Sequence, residues 1–118
     1  MKFACLCYLD QEKVGGFTRK DWARLDDETL DFDSELTARG VMTLGYPMQD
    51  AATGVTVRVR DGKMTATDGP FAETKEQLAG FFLIEVDSRE EAVRIAAECP
   101  LAPLGWVVIR PWLEREHS

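Results

Sequence analysis

Short apolar runs alternate along the chain with longer stretches whose apolar positions recur at helical spacing. Phe3–Leu9 is a continuous apolar run closed by Asp10 and Gln11, the pattern of a strand buried on both faces. From Thr18 the period changes. Trp22, Leu25, Phe32 and Leu36 follow at spacings of three, four or seven as far as Gly40, which predicts a long amphipathic helix. Thr18 with Asp21 three residues on is a weak analogue of a capping box. The acidic side chains of this stretch, Asp26, Asp27, Asp31, Asp33 and Glu35, are expected to form a solvated helix face.

Val41–Tyr46, broken by Pro47, predicts a second strand, and Gly15-Gly16 a flexible connection before the helix. Val55–Arg60, then Asp61-Gly62, then Lys63–Thr67 predicts a hairpin, because Asp-Gly accepts the positive φ angles of a type I′ turn. A two-residue loop pairs Val59 with Met64 and Val57 with Ala66 on one face and Arg58 with Thr65 on the other. Gly80–Val86 is another apolar strand. Ser88 and Glu91 have capping-box spacing for a second helix, with Ala92, Val93, Ala96 and Ala97 on its inner face and Pro100 as its stop. Gly105–Trp112 closes the chain as a last, largely apolar strand.

The order strand, helix, strand with an inserted hairpin, strand, helix, strand fits an α+β ferredoxin-like sandwich. Two helices cover only one face of such a sheet, whereas the runs Phe3–Leu9, Phe81–Ile84 and Trp106–Ile109 are apolar on both. A lone chain would expose more contiguous apolar surface than soluble proteins usually tolerate. The most economical cover is the sheet of an identical chain, giving an isologous homodimer.

Composition narrows the function classes. The 118 residues fit one domain, expected over residues 1–114 with a short tail at 115–118, and 45% hydrophobic with 30% charged residues is a globular balance. A net charge of −7 repels phosphate backbones and anionic lipid heads, so no direct nucleic-acid or membrane partner is expected. The first apolar run ends too soon for a signal peptide and carries no small-residue cleavage site, which points to a cytoplasmic protein. Three cysteines make an odd set, expected as reduced, buried thiols. With a single histidine, His117, in the tail, no metal site is expected, and no cofactor is implied.

The densest candidate chemistry is Asp68-Gly69-Pro70-Phe71, followed at once by Ala72-Glu73-Thr74-Lys75-Glu76. Asp68 and Glu73 are two carboxylates that could converge on one pocket, where burial or mutual repulsion raises one pKa into the range for acid or base work. The simpler reading of Asp68 is an Asx turn, with Gly69 and Pro70 shaping the loop and Phe71 anchoring it in the core; Phe71 is also a candidate ligand contact. Thr74 is placed to cap a short helix over Lys75–Leu78, whose free N–H groups suit an anionic ligand. Tyr8 and Arg110 lie near strand ends where they could reach a ligand cavity, Tyr8 as a proton or hydrogen-bond donor and Arg110 as an anion holder. Cys99 stands at a helix C-terminus, which disfavours a thiolate, and is expected to be a buried structural thiol.

The Asp68-to-Phe71 motif, together with Thr56–Lys63, Glu98-Cys99-Pro100 and Val107–Pro111, resembles the DGPF family within the YciI-related (YCII) group of small bacterial proteins. That resemblance implies a dimeric α+β barrel, shared with muconolactone-isomerase-like enzymes and small monooxygenases. Some relatives are thought to use a histidine–aspartate pair, and one removes chloride from a chlorinated hydroxyhydroquinone. This chain has no histidine in its first helix, and Cys99 stands before Pro100 where those relatives tend to carry aspartate. The resulting expectation is a cofactor-independent isomerase or lyase for a small polar or aromatic metabolite, with Asp68 or Glu73 as the acid–base group. The alternative is a noncatalytic ligand-sensing or protein-interaction module, linked to sigma-factor-dependent transcription.

Overall fold

A computed structural model describes residues 1–69 and 77–114 of the chain. Among them β1 (Lys2–Leu9) is followed by a one-turn helix α1 (Gln11–Val14), the long helix α2 (Arg19–Ala38) and β2 (Met42–Pro47). The hairpin strands β3 (Val55–Arg60) and β4 (Lys63–Asp68) come next, then β5 (Gln77–Glu85), α3 (Arg89–Glu98) and β6 (Gly105–Pro111). The main sheet has the order β2-β5-β1-β6 with every pairing antiparallel, and β3-β4 forms a separate two-stranded sheet. This is the ferredoxin-like α+β arrangement with an inserted hairpin. Gln77 and Leu78 open β5, so the helix expected over Lys75–Leu78 is replaced there by strand, while Thr74 and Lys75 lie outside the described residues.

Local chemistry explains most boundaries. Thr18 accepts the Asp21 N–H at 3.2 Å, while the Asp21 carboxylate accepts the Thr18 N–H at 2.8 Å, a complete capping box at the start of α2. At the other end, Gly40 with φ of 73° lets the Val41 N–H reach back to the Leu36 carbonyl at 2.9 Å, closing a Schellman motif. In α3, Ser88 accepts the Glu91 N–H as expected, but the Glu91 carboxylate accepts from Asp87 rather than from Ser88. The inner face of α3 is Ala92, Ile95 and Ala96; Val93 and Ala97, expected inside, are exposed because the packed stripe is rotated by one position. Asp61 and Gly62 have φ of 51° and 76°, the two positive angles that a type I′ turn requires, and the hairpin register is the one expected, Val59 to Met64 and Val57 to Ala66.

The core lies on one side of the main sheet. Phe3, Cys5, Cys7 and Leu9 of β1 are buried alternately with half-buried Ala4, Leu6 and Tyr8, and Phe82, Ile84, Leu36 and Ile95 pack with Phe3, Cys5 and Cys7. The opposite face carries Leu6, Tyr8, Phe81, Leu83, Trp106 and Val108, brought into one area by the β5-β1-β6 register. Both sides of these strands are apolar, yet helices cover only one. The hairpin is more exposed still: every residue of β3 and β4 except Thr56 is open to solvent. Among the described residues, no helix is long and apolar enough to cross a membrane.

Candidate functional site

Helix α2 places Trp22, Asp26, Thr29 and Asp33 on one stripe, at steps of three or four residues, with Leu25 beside it, over the inner edge of the sheet. Below this stripe β1 contributes Cys7 and Leu9, and β5 contributes Gly80 and Phe82. Cys99 and Leu101, just after α3, close the end. They enclose a cavity of about 160 Å³, and a second of about 320 Å³ shares Leu9, Trp22, Met48 and Ala79 with it. The first is close to the roughly 150 Å³ that accepts one benzene ring in an engineered protein core. Mostly apolar walls with a few polar groups are the usual make-up of a small-molecule site.

Asp33 is the acidic member of this cavity that burial affects most clearly. Desolvation pushes its carboxyl above the ordinary aspartate range. The solvated face expected for the α2 acids therefore holds for Asp27 and Asp31, which are exposed, but not for Asp33, which is half-buried and lines the cavity. Its sequence signal was its place: Asp33 follows Asp26 by seven and Thr29 by four, alongside the apolar stripe instead of opposite it.

Cys7 and Cys99 meet at the cavity floor as free thiols in hydrogen-bond contact, although 92 positions separate them in the chain (99 minus 7). The Cys7 thiol is pushed up by its hydrogen bond to Cys99 and by burial, whereas that same bond pulls the Cys99 thiol below its ordinary value, with the Leu101 N–H acting in the same direction. Cys99 is thus the more acidic thiol of the two and Cys7 the one that keeps its proton longer, while burial and the nearby Asp33 oppose ionisation of either. Cys99 is buried and free, as expected, and its contacts with Cys7 and the Leu101 N–H act against the unfavourable helix C-terminus. Pro100 forces Cys99 out of helical geometry to φ of −62° and ψ of 129°, and the turn that follows brings backbone N–H groups back over the sulfur. Cys5, two residues along the same strand face, is fully buried, and desolvation pushes its thiol up to about 12. Among the described residues, no group of three or more His, Cys, Asp or Glu side chains is arranged to hold a metal ion.

The other candidates are distributed elsewhere. Asp68 ends β4 opposite Val55 and is exposed; it does not line the α2 cavity. Gly69 turns the chain with φ of 88°, its N–H bound to the Gly54 carbonyl at 2.7 Å and its carbonyl accepting the Thr56 hydroxyl at 2.7 Å. Phe71, Glu73 and Thr74 lie outside the described residues. Tyr8 and Arg110 share the uncovered face of the sheet, opposite Trp106 and Ala4 respectively. Trp106 and Arg110 are four steps apart on β6, about 13 Å at a strand's rise.

The YCII-related domain family matches residues 1–114, with the fold and the Cys99-Pro100 turn inside the matched span. The chain belongs to this family. An uncharacterised protein of Rhizobium meliloti strain 1021 is 33% identical over 103 residues, covering 83% of this chain and 79% of that protein. A solved structure, the 5-chloro-2-hydroxyhydroquinone dehydrochlorinase of Burkholderia phenoliruptrix AC1100 in complex with 2,5-dihydroxybenzoquinone, superposes with a TM-score of 0.54 at 18% identity. The superposition covers 98% of this chain and 96% of that one. At that identity the likeness concerns the YCII-type fold.

Proposed function

We propose that this YCII-family protein is a cofactor-independent isomerase or lyase that acts on a small polar or aromatic metabolite in the α2 cavity. The observation that carries the proposal is Asp33: a carboxyl with a raised pKa, set in an apolar cavity the size of a single ring. A carboxyl that holds its proton longer than an exposed aspartate serves both directions of proton transfer, as acid in its neutral form and as base once ionised. A carbon acid next to a carbonyl, or a ring with a leaving group beside an acidic C–H, presents the proton such a group moves. The structural neighbour's dehydrochlorinase activity and its bound dihydroxybenzoquinone support this substrate class.

Asp68 and Glu73 stay in the proposal as the competing acid–base pair, with Phe71 and Thr74 as ligand contacts on the same loop. Variants separate the two assignments. Tryptophan fluorescence during titration with 2,5-dihydroxybenzoquinone and related small quinols reports binding, because Trp22 lines the cavity. Turnover of any bound compound is then followed by absorbance. Loss of turnover in D33N, with D68N and E73Q active, supports the α2 site; the reverse pattern moves the chemistry to the loop.

The assembly proposed with this function is a homodimer that packs its uncovered sheet faces together as an α+β barrel. Its support is the apolar face of Leu6, Tyr8, Phe81, Leu83, Trp106 and Val108, opposite the helices. In such a dimer Tyr8 and Arg110 face the partner.

A further inference from the structure

We propose that Cys99 and Cys7 form a peroxide-reducing dithiol at the floor of the α2 cavity. Two features of the fold carry this. The two residues come from opposite ends of the chain, lie within side-chain hydrogen-bond reach of one another, and line the same cavity, so a small oxidant that enters reaches the pair. Cys5, on the same strand face, does not line the cavity and so provides an internal comparison.

The two positions suit a two-step reaction. Cys99, the more acidic thiol of the pair with the Leu101 N–H beside it, is the nucleophile, and Cys7, across the cavity floor on β1, is the resolving thiol. In the first step the Cys99 sulfur attacks the terminal oxygen of a hydroperoxide. The S–O bond forms, the O–O bond breaks, and the departing alkoxide or hydroxide takes a proton to leave as alcohol or water. The Asp33 carboxyl, bordering the same space, is placed to supply that proton. In the second step the Cys7 sulfur attacks the Cys99 sulfenic acid. The S–S bond forms, the S–O bond breaks, and the hydroxyl leaves with the Cys7 proton as water. An external thiol or dithiol reductant returns the pair to its starting state by exchange.

The volume of about 160 Å³ fits hydrogen peroxide or a short alkyl hydroperoxide. The inference is independent of the isomerase or lyase reading, since it needs no bound metabolite and no turnover by Asp33 of a carbon acid.

The test uses the full chain, reduced and freed of reductant, then exposed to a single equivalent of hydrogen peroxide. Remaining thiols are alkylated under denaturing conditions and the digest is read by mass spectrometry. The expected result is a disulfide joining the Cys99 peptide to the peptide that holds both Cys5 and Cys7. The C5S variant keeps this link, C7S loses it, and in C7S the Cys99 sulfenic acid is captured by dimedone. C99S loses peroxide consumption. Because serine in the core can disturb folding, circular dichroism accompanies each variant, and the wild-type digest stands without any of them. The proposal is overturned if Cys99 of the wild type is recovered fully alkylated, or if C5S abolishes the link while C7S keeps it.

Discussion

Tyr8 stacks on Trp106 directly across the β1–β6 register, with ring centroids 6.0 Å apart and planes 15° from parallel. Both belong to the face that the helices leave bare, where Leu6 and Val108 form the next pair. The proposed homodimer buries this face. Light scattering is expected to size the protein at twice the 13.3 kDa chain at micromolar concentration. Leu6→Asp, which puts a charge in the middle of that face, is expected to give a folded monomer. A wild-type monomer at such concentrations would remove the proposed barrel.

Asp33 makes stability depend on pH in a definite direction. Burial raises its folded pKa above the unfolded value, so the folded state binds the proton more tightly. Stability from this group is therefore greatest below the unfolded aspartate range, falls as pH rises toward the folded pKa, and is level above it. Asp33→Asn abolishes that fall. Thermal melts of the variant and the wild type should nearly coincide in shift at low pH and separate in favour of the variant at neutral pH, by a small margin because Asp33 is only half-buried. A variant that is less stable at neutral pH would show that Asp33 has a partner that holds it charged.

The capping box at Thr18 predicts a cost from a single hydroxyl. Thr18→Ala removes the acceptor for the Asp21 N–H and leaves the Asp21 carboxylate without its hydroxyl partner at 3.0 Å. The loss expected in urea denaturation is about 1 kcal/mol. Thr18→Ser should recover most of it, which a purely steric role of the threonine methyl would not allow.

Gly105 holds β6 against β1 beside the Tyr8 backbone. A Cβ built there would overlap the Tyr8 carbonyl and press on Leu9, both main-chain neighbours that cannot rotate away. Gly105→Ala is expected to destabilise the fold by roughly 3 kcal/mol and to broaden the β1–β6 amide signals in NMR spectra. Gly16→Ala, where nothing lies within 4 Å of the added carbon, is the matched control and should leave stability nearly unchanged.

Much of this architecture was legible from local pattern. The Asp61-Gly62 turn dictated its own hairpin register, because only positive φ angles close a two-residue loop between right-twisted strands. Short continuous apolar runs and a period of three to four separated β1, β5 and β6 from α2 and α3. Where local signals misled, packing was the competing influence. Gln77 and Leu78 follow residues with helix-start chemistry, yet pairing with Leu9 and Tyr8 draws them into β5. Val93 looks like a core residue, but the orientation of α3 buries Ile95 instead.

The candidate site was less legible, for a different reason. Asp33 resembles its neighbours Asp31 and Glu35 in sequence, and only the seating of α2 on the sheet separates the half-buried carboxyl from the exposed ones. The contact between Cys7 and Cys99 was not legible, because it joins the turn after Pro100 to a strand at the far end of the chain.

By itself, the sequence determined the elements, the hairpin, the helix starts and the surplus of apolar strand faces, since each depends on residues within a few positions of one another. The tertiary structure alone decided that Cys7, Asp33 and Cys99 share one cavity and that Asp68 does not line it. Burial and hydrogen bonding set the charge of such groups, and both depend on which distant segments the fold brings alongside them.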